Sequence, residues 1–345
     1  MPYGHDVAPT NREVNHKVVV THWVPDDVVE YLREFSQPVA PREPRVFSRS
    51  EVLAHAHDAS AILACMADRV DESFLGACPR LRIISAALKG FDNFDAAACR
   101  NHGVWLTIVP DLLTEPTADL AIALTLDITR RISEADRDLR LNGFPGWRPV
   151  FYGSGLSGAT VGLLGMGALG RAVARRLVGF GCHTVYFDAR PLARHQEKTL
   201  AVRRVDFEEL LATCDIAIAL LPLTSSTQHL LNAAAIARLR PGAFLVNVGR
   251  GSVVDEQAVA EALTTGRLAG YAADVFEMED WARPDRPPAI PEALLRHPRT
   301  VLTPHLGSAV RAARRDIAFA AARQIRQVLR GNRPDHPVNE PTAAL

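Results

Sequence analysis

Short apolar runs alternate with amphipathic stretches along most of this chain. Between Lys17 and Pro110 the strand-like runs are KVVVTHWV, ASAILACM, LRIISAAL and VWLTIVP, with helical segments between them. A second series begins at Thr160, and its runs are TVGLLG, HTVYFD, IAIALLPL, AFLVNVG, GYAADVF and TVLTPH. Strands that alternate with helices are typical of parallel sheets in α/β folds. The pattern therefore predicts two α/β domains.

Two helical stretches fall outside these series. The first extends from Pro116 to Gly143 and is predicted as one long helix, because Pro favours a helix start and Gly a helix end. The next segment is GFPGWRPVFYGSGLSG, whose Gly, Pro and aromatic residues predict a connecting loop. The last helical stretch ends at Gly331. We expect it to pack on the first domain, because the second is complete without it.

Composition and charge narrow the functional classes. With 345 residues the chain exceeds the size at which one hydrophobic core usually stops growing, which agrees with two domains. Thirty-nine basic residues balance 39 acidic residues, so no global field attracts the protein to nucleic acid or to an anionic membrane. No apolar run approaches the roughly 18 residues of a membrane span. We therefore expect a small-molecule partner and neither nucleic acid nor membrane.

The cysteines and the first residues indicate a compartment. The five cysteines are widely spaced and include no CxxC pair, so we predict neither a metal site nor a redox dithiol. Such cysteines are typical of buried thiols in a reducing cytoplasm. Residues 1–16 are polar and lack the apolar segment of a secretory signal, and we expect them to be disordered.

The segment TVGLLGMGALGRAVARRL contains a dinucleotide-binding pattern. Gly165, Gly167 and Gly170 form G-x-G-x-x-G between a predicted strand and a predicted helix. The amides at the helix start, including those of Ala168 and Leu169, are expected to bind phosphates. The pattern thus predicts a bound dinucleotide.

Asp188 bears on which dinucleotide is bound. It ends the next predicted strand, where a carboxylate accepts hydrogen bonds from the adenosine ribose. A carboxylate also repels a 2′-phosphate, so we expect NAD as the cofactor and weaker use of NADP. Arg190 either reduces that preference or is a solvated loop charge.

Charged side chains follow three strands of the second series. Arg250 lies in NVGRGSVVDE, Glu279 ends ADVFEME and His305 lies in TPHLGS. Open α/β sheets bind ligands at the carboxyl ends of their strands, so these residues are candidates for an anion clamp, an orienting carboxylate and an acid/base group. The alternative is a snorkelling arginine, a solvated glutamate and a structural histidine. The sequence does not place Glu279 beside His305.

A lysine follows a strand of the first series. The run LRIISAA leads into LKGFDNFD, which puts Lys89 and Gly90 at the strand exit. An ammonium group at this position either extends into water or binds an anion.

Five motifs, in this order and spacing, resemble the D-isomer-specific 2-hydroxyacid dehydrogenase superfamily: GLLGMGALG, LLPLTSST, NVGRGSVVDE, AADVFEME and TPHLGS. The resemblance implies two Rossmann-like domains, with a NAD-binding domain at 113–305 inserted into a substrate domain of 1–112 and 306–345. It also implies a homodimer and a catalytic trio of Arg250, Glu279 and His305. The further cofactor-binding residues that it implies are Thr117, Pro222, Thr227, Val248, Gly249, Asp274 and Gly307.

One motif departs from the superfamily pattern. Members usually have Pro after the catalytic glutamate, whereas here Asp280 and WARPDRP follow Glu279. With ALKGFDNFD, VPDLLTEPTA, GWRPVFYG and HLGSAVRAAR, this variant is similar to the superfamily members that oxidise phosphite to phosphate while reducing NAD. The substrate-binding residues implied by this similarity are Lys89, Gly90, Arg250, His305, Met66, Ser308, Trp147, Tyr152 and Arg314. For Met66, Trp147 and Tyr152, ordinary packing is the alternative.

Phosphite oxidation, with His305 as the candidate base, is therefore the expected activity. Phosphite near neutral pH is largely a dianion, which Arg250 and Lys89 together match better than one arginine alone. The main alternative is a D-2-hydroxyacid dehydrogenase that acts as a glyoxylate or hydroxypyruvate reductase on the same scaffold. A NAD(H)-sensing binding protein is a more remote alternative, because the superfamily includes transcriptional co-repressors.

Overall fold

The computed structural model describes residues 16–342, so the predicted disordered leader lies outside the described residues except for His16. The chain forms two compact units, Met1–Val109 with Arg315–Leu345, and Pro110–Arg314. The second unit is thus inserted into the first, with the crossings at Val109 and Arg314 instead of the predicted 112 and 305. Both units contain a parallel sheet, which confirms the predicted fold class.

Strands and helices alternate along both units. The strands are β1 (Lys17–Val20), β2 (Gln37–Val39), β3 (Ala61–Ala64), β4 (Ile83–Ala86), β5 (Trp105–Thr107), β6 (Thr160–Leu164), β7 (His183–Phe187), β8 (Val202–Arg204), β9 (Ile216–Ala219), β10 (Ala243–Asn247), β11 (Leu268–Ala273) and β12 (Thr300–Leu302). The helices are α1 (Asp26–Arg33), α2 (Arg49–Ala56), α3 (Glu72–Ala77), α4 (Ala96–Asn101), α5 (Thr114–Arg130), α6 (Ile132–Asn142), α7 (Ala168–Leu177), α8 (Arg194–Leu200), α9 (Phe207–Thr213), α10 (Ala233–Arg238), α11 (Glu256–Thr264), α12 (Glu292–Arg296) and α13 (Arg311–Leu329).

The first unit has a five-stranded sheet in the order β2-β1-β3-β4-β5. The chain therefore adds strands on one side of β1 and then on the other, which makes β1 and β3 the point where the strand order reverses. Helix α13 packs on this unit as expected: the Ser85 hydroxyl donates to the Ala321 carbonyl at 2.9 Å, and the Arg82 guanidinium donates to the Val328 carbonyl at 3.0 Å.

The second unit has a seven-stranded sheet in the order β12-β11-β10-β9-β6-β7-β8. All of its pairs are parallel, and Val161 of β6 lies opposite Ile216 of β9. The strand order reverses between β6 and β9, so the carboxyl ends of these two strands are the place where such a sheet binds a ligand. The central strands β6 and β9 are buried except for Thr160 at the start of β6, in keeping with helices on both faces.

Two short strands are absent from the sequence prediction. Strands β2 and β8 have three residues each and lie at the sheet edges. Their sequences, QPV and VRR, lack a continuous apolar run because an edge strand is only partly buried.

The prediction of one helix from Pro116 to Gly143 is wrong. Helix α5 ends at Arg130, and Arg131 has a left-handed backbone with φ 58°. Helix α6 then begins, and the Asp127 carboxylate accepts from the Ser133 amide at 2.7 Å. The break is therefore stabilised by a side chain that bonds the first turn of the new helix, without any Pro or Gly to signal it.

Within residues 16–342 no group of three or more His, Cys, Asp or Glu side chains is arranged to hold a metal ion. No helix in that range combines the length and the apolarity that crossing a membrane requires.

Candidate active site

The glycine pattern forms a tight turn between β6 and α7. Gly165 has φ +106°, a conformation that favours glycine, and the amide of Gly165 donates to the Phe187 carbonyl at 2.9 Å. A Cβ on Gly170 would lie 2.2 Å from the Gly165 carbonyl oxygen, so only glycine lets the helix approach the strand this closely. By contrast, a Cβ on Gly167 meets nothing within 4 Å, which leaves open space above the turn.

The start of α7 is suited to a phosphate. Gly167 is the N-cap, and no side chain caps the helix. The first amides, in the turn that includes Ala168 and Leu169, are the groups that a helix leaves without an intrahelical partner. A pyrophosphate supplies the acceptors that these amides need.

Asp188 lies beside this turn at the end of β7. Its carboxylate accepts from the Met166 amide at 2.7 Å and from the Arg190 amide at 2.8 Å. The Arg190 side chain is exposed. The residues therefore fit a dinucleotide, with phosphates at the helix start and a carboxylate at the neighbouring strand end.

The other predicted cofactor residues fall into contacting groups. The Thr227 hydroxyl donates to the Pro222 carbonyl at 2.6 Å. A Cβ on Gly249, which follows the buried Val248, would lie 2.5 Å from the Leu221 carbonyl oxygen. These contacts bring the segments after β9 and β10 together.

Thr117, Gly307 and Asp274 form a second contacting group. A Cβ on Gly307 would lie 3.1 Å from the Thr117 hydroxyl and 3.3 Å from the Asp274 carboxylate, and the Gly307 amide donates to that carboxylate at 2.8 Å. Asp274 is 2% exposed and also accepts from the Leu306 amide at 2.6 Å. Burial raises the pKa of Asp274 in spite of these donors. Asp274 thereby fixes the loop that carries the candidate histidine.

The structure places His305 beside Glu279. The His305 Nδ1 lies 2.7 Å from the Glu279 Oε2, and both side chains are partly exposed. Because a carboxylate accepts hydrogen bonds, Nδ1 carries the hydrogen and Nε2 is left as the basic nitrogen. The other Glu279 oxygen accepts from the Phe276 amide at 2.9 Å. The pair is thus a histidine held in one tautomer by an oriented carboxylate.

The backbone around His305 supports this orientation. His305 has φ 55°, a left-handed conformation that is uncommon outside glycine, and its amide bonds to the Asp274 carbonyl at 3.0 Å. Strained backbone of this kind is often found at functional sites.

Arg250 lies on the loop after β10, which presses against the loop that carries Glu279. A Cβ on the next residue, Gly251, would lie 1.9 Å from the Phe276 carbonyl carbon and 2.2 Å from the Glu277 amide nitrogen. No rearrangement of a flexible side chain relieves contacts with backbone atoms, so this position requires glycine. The Arg250 guanidinium also donates to the Gly249 carbonyl at 2.9 Å.

Four other predicted substrate residues belong to the second unit: Trp147, Tyr152, Ser308 and Arg314. The Arg314 guanidinium donates to the Ser308 hydroxyl at 3.3 Å, so these two lie together. Trp147 is 80% exposed and Tyr152 is 72% exposed, so neither side chain is buried in the core of its unit, and their role in substrate binding stays a prediction. They lie in the segment after α6.

The remaining predicted substrate residues belong to the first unit. Met66 follows β3 and packs partly buried on the hydrophobic core, while Lys89 and Gly90 follow β4. Because β3 and β4 are parallel neighbours, these residues share the carboxyl edge of the five-stranded sheet. The Asn93 amide reaches the Met66 carbonyl at 3.5 Å and joins the two loops. Lys89 is exposed.

Sequence reasoning missed a buried set of polar residues that joins the loops carrying Arg250 and Glu279. Asp280 and Ser252 are 3% and 0% exposed, and the Ser252 amide donates to the Asp280 carboxylate at 2.8 Å. Arg283 donates to the Ser252 hydroxyl at 2.7 Å and to Glu277 at 2.8 Å. The unusual EDWARPD segment was the available signal, since it puts the charged Asp280 where Pro is usual.

Comparisons with known proteins identify the class. The sequence profile of the D-isomer specific 2-hydroxyacid dehydrogenase NAD binding domain matches residues 122–307. This range contains the glycine turn, Asp188, Glu279 and His305. The chain belongs to the D-isomer specific 2-hydroxyacid dehydrogenase family, and it is an oxidoreductase with a NAD-binding domain.

Individual relatives cover nearly the whole chain. A glyoxylate reductase of Thermococcus litoralis is 34% identical over 329 residues, which are 94% of this chain and 97% of the relative. A solved protein of Thermus thermophilus has a TM-score of 0.83 at 34% identity and covers 93% of this chain and 99% of its own. A NADPH-dependent glyoxylate/hydroxypyruvate reductase of Sinorhizobium meliloti, solved with NADP and malonate, has a TM-score of 0.81 at 31% identity over 96% of this chain and 99% of its own.

Proposed function

We propose that this chain is a NAD-dependent 2-hydroxyacid dehydrogenase that reduces a small 2-oxo acid such as glyoxylate. The observation that carries the proposal is the pair of His305 Nδ1 and Glu279 Oε2 at 2.7 Å, next to the Asp274 loop of the NAD-binding unit. Relatives named glyoxylate reductase, which are 32–36% identical over 94% of the chain, support this substrate class. The comparisons thus favour the reductase over the phosphite oxidation expected from the motifs.

The residues have separate roles in this proposal. NAD, when bound, accepts or donates the hydride. In the reductive direction His305 Nε2 gives a proton to the carbonyl oxygen, and in the oxidative direction it removes the hydroxyl proton. Glu279 stabilises the imidazolium and holds its tautomer. Arg250 offers paired N–H donors to the substrate carboxylate.

Lys89, which belongs to the first unit, is the second cation in this proposal. Lys89 is exposed and makes no hydrogen bond or ion pair among the described residues, so its ammonium group is available to an anion. We assign Lys89 and Gly90 to substrate binding, with Met66 as a packing residue of the same loop edge.

Phosphite is the second candidate substrate, and the segment after Glu279 favours it. Asp280, which replaces the usual Pro, is buried and bonded to Ser252, so the variant motif is built into the loop. ALKGFDNFD and GWRPVFYG resemble the phosphite-oxidising members of the family as well. In that reaction a water oxygen bonds to phosphorus as hydride leaves it, and His305 takes a proton from the water. Arg250 and Lys89 balance the dianion.

A substrate panel tests the proposal. The purified full chain is assayed with NADH and glyoxylate, hydroxypyruvate or pyruvate, and separately with NAD and phosphite. We expect the highest kcat/KM on glyoxylate or hydroxypyruvate. A higher kcat/KM on phosphite would replace the first candidate with the second. Saturable NADH binding with no turnover of any substrate would reject both in favour of a NAD(H)-sensing binding protein.

A homodimer and a cytoplasmic location belong to the same proposal. Helix α6 has no buried residue, and Leu141, Phe144 and Trp147 nearby are 83%, 75% and 80% exposed. Apolar side chains this exposed favour a protein interface. The five cysteines, all within the described residues, form no disulfide, which favours a reducing compartment. Light scattering on the purified chain tests the dimer, and a mass of one chain would reject it.

A further inference from the structure

The two loops that carry Arg250 and Glu279 are joined by buried hydrogen bonds. One Asp280 carboxylate oxygen accepts from the Ser252 amide at 2.8 Å and also from the Ser252 hydroxyl. Ser252 comes two residues after Arg250, and Asp280 comes directly after Glu279. The bond therefore ties the position of one proposed site residue to that of the other.

Arg283 completes this connection from behind. Its guanidinium donates to the Ser252 hydroxyl at 2.7 Å and to the Glu277 carboxylate at 2.8 Å, and its side chain is 11% exposed. Glu277 accepts in addition from His229 Nε2 at 2.7 Å and from the Glu256 amide at 3.1 Å. Because Ser252 accepts from Arg283, its hydroxyl hydrogen is directed to Asp280. Arg283 thus fixes the direction of the Ser252–Asp280 bond.

The geometry leaves little freedom between the loops. Gly251 has no space for a Cβ against Phe276 and Glu277, so the loops touch through backbone atoms. A change in the Ser252–Asp280 bond is therefore transmitted to both ends of the contact. Such a change would displace Arg250 on one loop and the Glu279–His305 pair on the other.

We propose that Arg283, through Ser252 and Asp280, is a positioning residue that sets Arg250 against the Glu279–His305 pair. This inference rests on the proposed function for its catalytic readout. Arg283 makes no contact with substrate in this account, and its effect is on geometry alone. A misplacement of about 1 Å at a reacting centre reduces the rate by about 100-fold, so small displacements are measurable.

The main test compares Arg283→Gln with Arg299→Gln. Arg299 is a matched control: it is also mostly buried, and it bonds the Ala269 carbonyl at 2.9 Å and Glu134 at 3.3 Å, next to the start of β12. We expect Arg283→Gln to lower kcat about 10–100-fold on the substrate that the wild type uses, with the KM for NADH unchanged. Arg299→Gln should leave kcat within about twofold. Arg283→Lys, which keeps one donor, should recover part of the loss.

A double-variant cycle separates positioning from general stability. If Arg283 acts through Asp280, Arg283→Gln and Asp280→Asn combined should reduce kcat little more than either alone. The wild type, the two single variants and the double variant are each unfolded by urea to measure the free energy of unfolding. Additive losses in kcat, or a loss of stability in Arg283→Gln with kcat unchanged, would overturn the proposal.

A readout without substrate keeps this inference separate from the proposed function. The proton on His305 Nδ1 gives a downfield resonance in the wild type, assigned by its absence in His305→Asn. We expect Arg283→Gln to shift or broaden this resonance, and Arg299→Gln to leave it in place. An unchanged resonance in Arg283→Gln would overturn the positioning role even if the wild type turned over none of the tested substrates.

Discussion

At the carboxyl edge of the seven-stranded sheet, Glu279 and His305 are bonded to each other, whereas the Lys89 side chain, at the carboxyl edge of the five-stranded sheet, has no bonded partner among the described residues. Glu279 has one oxygen on the Phe276 amide and the other on His305. Lys89 follows the buried Leu88, whose carbonyl accepts from the Val109 amide at 2.9 Å, and its own side chain is exposed.

In the proposed function, this difference corresponds to two separate tasks. Proton transfer requires fixed donor and acceptor positions, which the bonded residues of the second unit supply. Recognition of a particular anion requires charge, which an exposed lysine supplies without a fixed geometry. We therefore expect the second unit to determine the type of reaction and Lys89 to influence the choice of substrate.

Removing the histidine should have the largest effect. His305→Asn lacks a nitrogen that can gain and lose a proton, and we expect kcat to fall about 100- to 10,000-fold. Stopped-flow or steady-state rates measure the loss, and NADH fluorescence checks that the cofactor still binds. The control is His195→Asn, on the exposed surface of α8. A kcat within tenfold of the wild type would remove His305 as the proton-transfer group.

Lys89→Ala should have the next largest effect. Loss of a hydrogen bond to a charged group costs about 1.5–3 kcal/mol, so we expect the KM of the anionic substrate to rise about 10–100-fold with a smaller change in kcat. The KM of a dianion should rise more than the KM of a monoanion. The ratio of these two increases therefore indicates which type of anion Lys89 binds. Lys198→Ala is the matched control, since Lys198 lies on α8. An unchanged KM would show that Lys89 is merely solvated.

Asp188→Asn tests cofactor choice in the second unit, where the Asp188 carboxylate is held by hydrogen bonds. The amide keeps an acceptor for the Met166 amide, while the negative charge that opposes a 2′-phosphate is lost. We expect the ratio of kcat/KM for NADH to that for NADPH to fall about tenfold, equivalent to about 1.4 kcal/mol. If the wild type already used NADPH as well as NADH, the assigned role of Asp188 would be wrong.

Glu256→Gln should change the pH dependence of stability. Glu256 is 1% exposed, and burial, with the nearby carboxylates of Glu277 and Asp280, raises the pKa of Glu256 from 4.5 to about 8. The folded state therefore keeps a proton that the unfolded chain releases, and the free energy of unfolding falls as pH rises from about 5 to about 8. The slope from this group is at most about 1.4 kcal/mol per pH unit.

The variant should show a flatter profile over that pH range. Urea unfolding at pH 5 and pH 8 measures the difference, with Glu261→Gln on the exposed face of α11 as control. Equal slopes in the wild type and in Glu256→Gln would mean that Glu256 is ionised in the folded protein at neutral pH.

Local signals explain what could be predicted from the sequence. The glycine turn and Asp188 lie within one strand-helix-strand unit, so their spacing alone predicts a dinucleotide site. The alternation of strands and helices likewise predicts two parallel sheets, because each run is long enough to show its period. Edge strand β8 has only three residues and shows none.

Contacts between distant loops could not be predicted in this way. Glu279 and His305 are 26 residues apart, and their contact depends on how the loops after β11 and β12 fold. The bond between Ser252 and Asp280 spans 28 residues and is likewise absent from any local pattern. The helix break at Arg131 depends on Asp127, a polar residue whose capping role only the folded chain reveals.

Hydride transfer to a 2-oxo acid is tested most directly by following deuterium. The wild-type chain is incubated with C4-deuterated NADH and glyoxylate, and in parallel with NAD and phosphite deuterated on phosphorus. With both C4 hydrogens of NADH replaced by deuterium, we expect deuterium at C2 of glycolate, and little transfer from phosphite. Unlabelled or absent glycolate, with deuterium passing instead from phosphite to the nicotinamide, would contradict the assigned substrate.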